Sequence, residues 1–193
     1  MIKQNKMYKF DLKIPAFLPQ NSCEISFELA QGSTLVVVGE NGIGKSTLLN
    51  HFLKKFESKS IAFAEQKPLD IFYDYSLAQI RELQSGIDTF WADFDLSQKG
   101  DRRISMLSGG EAQGLKLASA LASPKELYVM DEPSQALDHD KKKKLSQIIQ
   151  KLMTDGKTFL IVEHDINWLP KNIPVIKLGQ ADGVIKVVDQ WTT

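Results

Sequence analysis

Eight residues between a strand pattern and a helix pattern constrain this chain more than any other segment. The string Gly39-Glu40-Asn41-Gly42-Ile43-Gly44-Lys45-Ser46 fits the pattern G-x-x-x-x-G-K-[ST]. The β-branched run Thr34–Val38 precedes it and is typical of a strand that is covered on both faces. The apolar residues that follow recur at helical spacing, at Leu48, Leu49, Phe52, Leu53 and Phe56. Strand, glycine-rich loop and helix form the context in which this pattern binds phosphate.

The residue types of this segment, which we name the phosphate loop (Gly39–Ser46), suit a triphosphate. Glycines allow successive backbone N–H groups to turn inward, and the start of a helix adds partial positive charge. We expect Lys45 to neutralise the β- and γ-phosphate oxygens and the Ser46 hydroxyl to bind a bridging Mg²⁺. The predicted nucleotide-binding residues here are Gly39, Glu40, Asn41, Gly42, Ile43, Gly44, Lys45, Ser46 and Thr47. A loop that only caps a helix would leave the Lys45–Ser46 pair unexplained.

Two acidic residues follow a second apolar run. Leu127–Met130 predicts a buried strand, and Asp131 and Glu132 come at its carboxyl end, where open α/β sheets bind ligands. We expect Asp131 to hold Mg²⁺ through its water shell and Glu132 to orient and deprotonate the water that attacks the γ-phosphate. An Asp-Glu pair before Pro133 is by itself more often a solvated turn, but the phosphate loop favours the catalytic interpretation.

The remaining apolar patterns predict an α/β fold with a mainly parallel central sheet. Alternation at Tyr8–Ile14 and Cys23–Leu29 predicts a small antiparallel sheet near the N-terminus. Further short strands are predicted at Ile61–Ala64, Phe159–Val162, and in a terminal hairpin of Val175–Leu178 and Val184–Val188. Helical spacing predicts helices that begin near Ser46, Leu77, Ser108 and Leu145. Strands and helices alternate along the chain, as they do in α/β layers.

Composition narrows the functional classes. At 193 residues, the chain has the length of one domain, and 42% hydrophobic residues are typical of a globular protein. It has 24 Lys and Arg against 24 Asp and Glu, so bulk attraction to nucleic acid or anionic lipid is not expected. Cys23 is the single cysteine, which excludes an internal disulfide and a multi-cysteine metal site. We find no leader pattern and no long apolar run, and expect a cytoplasmic protein.

A third motif indicates a protein family. The signature segment, Leu107-Ser108-Gly109-Gly110-Glu111, closely resembles the signature of ATP-binding cassette (ABC) ATPases. Ser108 and Glu111 also fit a helix capping box, and both interpretations can hold. The resemblance implies that the nucleotide is ATP and that Ser108, Gly109 and Gly110 contact it. It also implies a single nucleotide-binding domain over residues 1–193, with a reduced helical subdomain at 67–107.

Other residues match the family's motifs in order. Gln66 resembles the Q-loop glutamine that reaches Mg²⁺ and the attacking water, and His164 resembles the switch histidine that contacts the γ-phosphate. Ser134–Asp138 resembles the D-loop, a name we keep for this segment. The resemblance thus implies catalytic roles for Lys45, Gln66, Glu132 and His164, and metal binding by Ser46, Gln66 and Asp131. For the aromatic residue that stacks on adenine, Phe17 is the first choice and Tyr8 the second, with core packing as the alternative for each.

In this family the signature of one subunit closes over the ATP held by another subunit. The resemblance therefore implies a homodimer, or a dimer with a related cassette, that most simply energises a membrane-spanning transporter subunit from the inner face of the membrane. The alternative is a soluble factor that remodels a ribosome or nucleic-acid complex, which we favour less. Four segments together are similar to the ribosome-recycling branch: Gly39–Gly42, the signature ending in Glu111, Asp131–Ser134 and Val162–Asp165. That branch carries two cassettes and an iron–sulfur domain, and neither fits a chain with one cassette and one cysteine.

Several positions depart from the family pattern or stay open. Gly114 and Ser119 stand where arginine is common, Glu111 replaces the commoner glutamine, and Gln135 replaces the commoner D-loop serine.

Two further features have a functional and a structural interpretation. Lys141–Lys144 could contact RNA or lipid but is more typical of a solvated helix start. Trp91 and Phe94 could form a docking surface or the core of the helical subdomain.

Overall fold

The computed structural model describes residues 7–14, 22–56, 61–64 and 74–193. The strands are β1 (Met7–Ile14), β2 (Ser22–Ala30), β3 (Thr34–Gly39), β4 (Ile61–Ala64), β5 (Leu127–Asp131), β6 (Thr158–Val162), β7 (Pro174–Ala181) and β8 (Val184–Thr192). The helices are α1 (Lys45–Lys55), α2 (Leu77–Leu83), α3 (Gly109–Ala122) and α4 (His139–Thr154). The strands form one sheet in the order β1-β2-β8-β7-β3-β6-β5-β4.

The centre of the sheet is parallel, as the buried apolar runs predicted. β7, β3, β6, β5 and β4 pair in parallel, and every residue of β5 and β6 is buried. The register sets Val37 beside Val162, and Val162 beside Asp131. The carboxyl ends of β3, β5 and β6 therefore meet at one edge, and the segments that follow them are brought together there.

The predicted antiparallel pair and the predicted terminal hairpin are both present, and they are connected. β1 and β2 pair antiparallel, and so do β7 and β8. β8 also pairs in parallel with β2, at Ser22 with Val184 and Cys23 with Ile185. The hairpin therefore joins the N-terminal pair to the central sheet, which local alternation of polar and apolar residues did not reveal.

Two apolar clusters cover the two faces of the sheet. One contains Leu35, Val37 and the buried residues of α1 together with the aromatic side chains of β1 and β2. The other contains Val36 and the buried side chains of α2, α3 and α4. Neighbouring residues of β3 thus enter opposite clusters, which is why this strand reads as continuous apolar sequence. Within the ranges described, no helix combines the length and the apolar character that a bilayer span requires.

The segment between α2 and α3 forms short 3₁₀ turns around a buried centre. Trp91 is 4% exposed and Phe94 is fully buried, so both belong to the core and are not a docking surface. A Cβ on Gly114 would lie 2.6 Å from the Cβ of Phe94, so the absence of a side chain lets this ring pack against α3. Ser119 and Gln84 exchange two hydrogen bonds of 2.6 Å that tie α3 to the end of α2. Gly114 and Ser119, which stand where arginine is common in the family, therefore have local packing roles.

Candidate active site

The phosphate loop leaves the carboxyl end of β3 in a conformation that depends on glycine. A Cβ on Gly39 would lie 2.9 Å from the carbonyl oxygen of Leu178, so β7 leaves no room for a side chain. Gly42 and Gly44 have φ angles of +79° and +101°, a region that favours glycine. Gly44 begins α1 without a side-chain cap, so no side chain takes up the free N–H groups of its first turn. The loop therefore presents backbone donors and the positive end of a helix dipole to an anion.

Lys45 is buried within the phosphate loop. Its Nζ donates to the carbonyl oxygens of Gly39, at 2.9 Å, and Glu40, at 3.0 Å. Burial lowers the pKa of the ammonium group, and the charges of Glu132 and Asp131 oppose that shift. The ammonium is thus held beside the loop by neutral carbonyl groups and within the field of two carboxylates.

An open pocket brings six of the predicted nucleotide-binding residues together with Glu132, whereas Gly39, Glu40 and Ile43 are not part of its lining. Its lining consists of Asn41, Gly42, Gly44, Lys45, Ser46, Thr47, Glu132 and Gln135. Asp131 is 6% exposed and ends β5 next to this pocket. The Ser46 hydroxyl and the Asp131 carboxylate supply the oxygen donors that Mg²⁺ prefers, so the residues present fit this ion.

Glu132 and His164 lie together at the same edge of the sheet. His164 Nε2 is 3.0 Å from Glu132 Oε1, and the Glu132 N–H donates to the carbonyl oxygen of Val162 at 2.9 Å. Glu132 has a φ of +49°, which costs a non-glycine residue about 1–3 kcal/mol and persists only where the surroundings enforce it. A carboxylate in the pocket with an imidazole partner is suited to general-base chemistry.

The signature segment forms the start of α3. The Ser108 hydroxyl accepts from the Glu111 N–H at 3.3 Å, and Glu111 Oε2 accepts from the Ser108 N–H at 2.8 Å, so the predicted capping box is present. Glu111 also pairs with Lys99 and, at 3.4 Å, with Arg102. The hydrogen bond from Lys99, followed by that from the Ser108 N–H, lowers the pKa of Glu111 to about 2.

The glycines of the signature segment face the D-loop of the same chain. A Cβ on Gly110 would lie 2.8 Å from the carbonyl oxygen of Ala136, whereas one on Gly109 would lie 3.7 Å from the Cβ of Ala136. Gly110 thus has a structural reason for lacking a side chain that does not involve a nucleotide. Among the residues that line the described pocket, none comes from Ser108, Gly109 or Gly110.

Comparison with known sequences decides the family. The sequence model of a family described as ABC transporter matches residues 23–135, more than half of the chain. The chain belongs to the ABC transporter family. The predicted family and fold are confirmed, and the chain carries an ABC-type ATPase domain.

The curated relatives are ATP-binding proteins of transport systems. A probable metal transport system ATP-binding protein of Chlamydia pneumoniae is 30% identical, with 74% of this chain and 68% of the relative covered. Putative ABC transporter ATP-binding proteins of Clostridium tetani and Treponema denticola are 29% and 28% identical over 74% and 77% of this chain. The chain spans 39% and 38% of the lengths of these two relatives.

Solved structures with this fold cover nearly the whole chain. The dimeric structure of a bacterial ABC transporter cassette has a TM-score of 0.74 at 21% identity, covering 97% of this chain and 98% of its own. The RNase-L inhibitor has a TM-score of 0.77 at 23% identity, covering all of this chain and 41% of its own. At these identities the likeness shows the fold alone.

Two buried polar residues of this cassette hold the Glu132 segment, and sequence reasoning assigned neither of them a role. Glu163 is 3% exposed; its Oε1 accepts from the His164 N–H at 2.8 Å and its Oε2 from the Ser134 N–H at 3.2 Å. Gln113 is 6% exposed, and its Nε2 donates to the carbonyl oxygen of Pro133 at 3.0 Å. A carboxylate directly after the apolar run of β6 is the signal that would have found Glu163, because the same signal marked Asp131.

Other predicted residues of the cassette take structural places or fall outside the described ranges. Gln66 and Phe17 lie outside the described residues. Tyr8 is 3% exposed and packs edge-on against Phe56, with ring centroids 5.6 Å apart, so it belongs to the core.

The four lysines at the start of α4 include two that pair with carboxylates of this chain. Lys141 bridges Asp95, at 2.7 Å, and Asp138, at 2.8 Å, and Lys142 pairs with Asp165 at 3.1 Å. These ion pairs favour the interpretation of a solvated helix start.

Proposed function

We propose that this chain binds Mg·ATP, hydrolyses it and thereby energises a membrane transporter. The observation that carries the proposal is a pocket lined by Asn41–Gly42, Gly44–Ser46 and Glu132, with His164 3.0 Å from that carboxylate. The names of the sequence relatives, which describe ATP-binding proteins of transport systems, support it. We further propose that residues 1–193 form one nucleotide-binding domain with a reduced helical subdomain at 67–107.

Each predicted site residue has a proposed role in this reaction. The N–H groups of the phosphate loop hold the β- and γ-phosphates, and the Lys45 ammonium moves from carbonyl oxygens to phosphate oxygens. Ser46 and Asp131, with Gln66 as the resemblance implies, would hold Mg²⁺, and the ion would neutralise negative charge on the phosphates. Glu132 accepts the proton of the attacking water, and His164 orients that carboxylate and reaches toward the γ-phosphate.

The signature segment acts, in this proposal, on a second cassette. Ser108, Gly109 and Gly110 do not line the described pocket of their own chain, so a homodimer or a related cassette would bring them to the γ-phosphate. Phe17 is proposed to stack on adenine. Docking to a membrane-spanning subunit would place the dimer at the inner face of the membrane.

Phosphate release by the purified protein tests the hydrolysis. We expect the substitution Glu132→Gln to lower kcat about 100-fold or more, the range typical for loss of a general base, with ATP binding retained in calorimetry. Glu82→Gln, at an exposed position of α2, is the matched control and should leave kcat unchanged. Equal rates for Glu132→Gln and wild type would contradict the assignment of the base.

Two further experiments test the partners. Size-exclusion chromatography of Glu132→Gln should show a dimer with Mg·ATP and a monomer without nucleotide; a monomer at all concentrations would contradict the proposed homodimer. Purification of a tagged chain from its native cells in detergent should recover a multi-span membrane protein. Recovery of ribosomes in place of such a protein would favour the alternative, a soluble remodelling factor.

A further inference from the structure

Glu163 directly precedes His164, and its side chain reaches the segment that carries Glu132. Ser134, two residues after Glu132, donates its N–H to Glu163 Oε2, and His164 donates its N–H to Glu163 Oε1. The two loops have no covalent link near the site, since they follow β5 and β6. One buried carboxylate thus accepts a hydrogen bond from both of them.

The backbone around Glu132 needs such support. Its left-handed φ of +49° is a strained conformation for a residue with a side chain. The Glu132 N–H is held by Val162, and the next peptide carbonyl, at Pro133, accepts from Gln113. The Ser134 N–H adds a bond to the side chain of Glu163, which also accepts from the His164 N–H.

We propose that Glu163 is a positioning residue that sets the spacing between Glu132 and His164 by holding both loops. This inference rests on the proposed function, because its main readout is ATP hydrolysis. Glu163 itself contacts neither nucleotide nor water in this role: it is 3% exposed and both of its oxygens face backbone N–H groups. Loss of either hydrogen bond should loosen the pair and slow the chemical step while leaving ATP binding intact.

The substitution Glu163→Gln tests the role because it changes one atom. The amide keeps a single acceptor oxygen and places an NH₂ group against the other backbone N–H, so one of the two bonds is lost. We expect kcat to fall about tenfold or more, while KM and the calorimetric Kd for ATP change less than about twofold, the pattern of a group that acts on the chemical step. A kcat within about twofold of wild type would overturn the proposal.

Thr158→Val is the matched control for general destabilisation. Thr158 is fully buried at the opposite end of β6, and its Oγ1 accepts from the Gly32 N–H at 2.9 Å. The substitution Thr158→Val therefore also removes a buried acceptor of a backbone N–H, but at a position away from the pocket. We expect it to lower the melting temperature without lowering kcat; if it slowed hydrolysis as much as Glu163→Gln, the effect would be one of stability and the proposal would be wrong.

A double-mutant cycle separates positioning from an independent effect. The His164→Ala variant has no Glu132–His164 pair to hold. Adding Glu163→Gln to it should therefore lower kcat by a further factor of less than about three. If Glu163→Gln lowered kcat by the same factor in the His164→Ala background as in wild type, the proposal would be overturned. If Glu163→Gln does not fold, Glu163→Asp replaces it: the shorter side chain keeps both acceptors but cannot span both N–H groups, and a wild-type kcat would again overturn the role.

Amide hydrogen exchange keeps this test separate from the proposed function. In the nucleotide-free wild type, the amides of Ser134 and His164 should be protected, and Glu163→Gln should accelerate exchange about tenfold or more at one of them. Unchanged exchange at both would overturn the inference even if the protein hydrolyses ATP. A wild type that shows this protection but no hydrolysis would contradict the proposed function and leave the bridge between the loops supported.

Discussion

The two glycine-rich segments of this protein have glycine for different reasons. In the phosphate loop, Gly42 has a φ of +79° and no atom near the position of a Cβ, so its backbone borders open space. In α3, which begins with the glycines of the signature segment, Gly110 and Gly114 have ordinary helical backbone, but a Cβ would meet Ala136 at 2.8 Å and Phe94 at 2.6 Å. Gly42 leaves room for a ligand, whereas Gly110 and Gly114, like Gly39 at the end of β3, leave room for the rest of the protein.

This difference separates motifs that look alike in sequence. Glycine in the phosphate loop gives donors access to an anion, whereas glycine at 110 and 114 lets α3 approach the D-loop and the core. Substitutions at the two sets of positions should therefore differ in what they damage.

Gly114→Val should give the largest loss of stability. The new side chain would overlap Phe94, which is fully buried and cannot move aside, and overpacking of this kind costs about 3 kcal/mol or more. Urea unfolding measures the loss, and the Kd for ATP of the protein that remains folded should equal that of wild type. A variant as stable as wild type would contradict the difference between the glycines of α3 and those of the phosphate loop, because α3 would then not need the space at Gly114.

Gly110→Ala should displace the D-loop. The obstructing atom is the carbonyl oxygen of Ala136, a backbone atom, so we expect a loss of about 1–3 kcal/mol and slower ATP hydrolysis. Gly109→Ala is the matched control, since its Cβ would make an ordinary contact of 3.7 Å with Ala136. The comparison fails if both variants unfold at the same urea concentration as wild type.

Gly42→Ala should weaken ATP binding with a moderate loss of stability. An alanine in the left-handed region costs about 1–2 kcal/mol, and the methyl group would occupy space that the ligand needs. Gly86→Ala is the control: Gly86 has a φ of +82° and similarly open surroundings but lies outside the lining of the pocket. Calorimetry should show a Kd raised about tenfold for Gly42→Ala alone, an effect of about 1.4 kcal/mol. Equal affinities in the two variants would contradict the assignment of Gly42 to the phosphate loop.

Glu111→Gln should have the smallest effect, and the effect should depend on pH. The pKa of Glu111 is lowered to about 2 from an ordinary value of 4.5, chiefly by Lys99, so its ionised form stabilises the fold. That contribution is complete above pH 4.5 and disappears as the pH falls toward 2. Glutamine keeps the oxygen that caps the helix, and partly exposed ion pairs contribute little to stability. Urea unfolding at neutral pH should therefore give a free energy of unfolding only about 1 kcal/mol higher for wild type than for the variant. A difference that stays constant from pH 7 to pH 3 would show that Lys99 does not set this pKa.

Much of the fold and of the predicted site could be read from local sequence. The continuous apolar runs of β3, β5 and β6 indicated a parallel sheet, and parallel strands place their carboxyl ends together. For that reason Lys45, Asp131 and Glu132, each at or after such an end, could be assigned to one edge before their positions were known, whereas His164 was assigned through the family resemblance.

Contacts between distant segments could not be read in this way. The pairing of β2 with β8 joins Cys23 to Ile185, and no local pattern encodes which hairpin meets which strand. The packing of Phe94 on Gly114 likewise joins the segment after α2 to α3, so Gly114 looked only like a missing arginine.

Local sequence predicted the main strands and helices, the edge of the sheet at which the site forms and residue types that suit Mg·ATP, because strand patterns, glycine loops and strand-end carboxylates are local features. The bridge from Glu163 to the Glu132 loop and the space that Gly110 leaves for Ala136 became visible in the folded chain alone. A buried hydrogen bond or a close contact depends on distance in space, and neighbouring residues along the chain do not specify that distance.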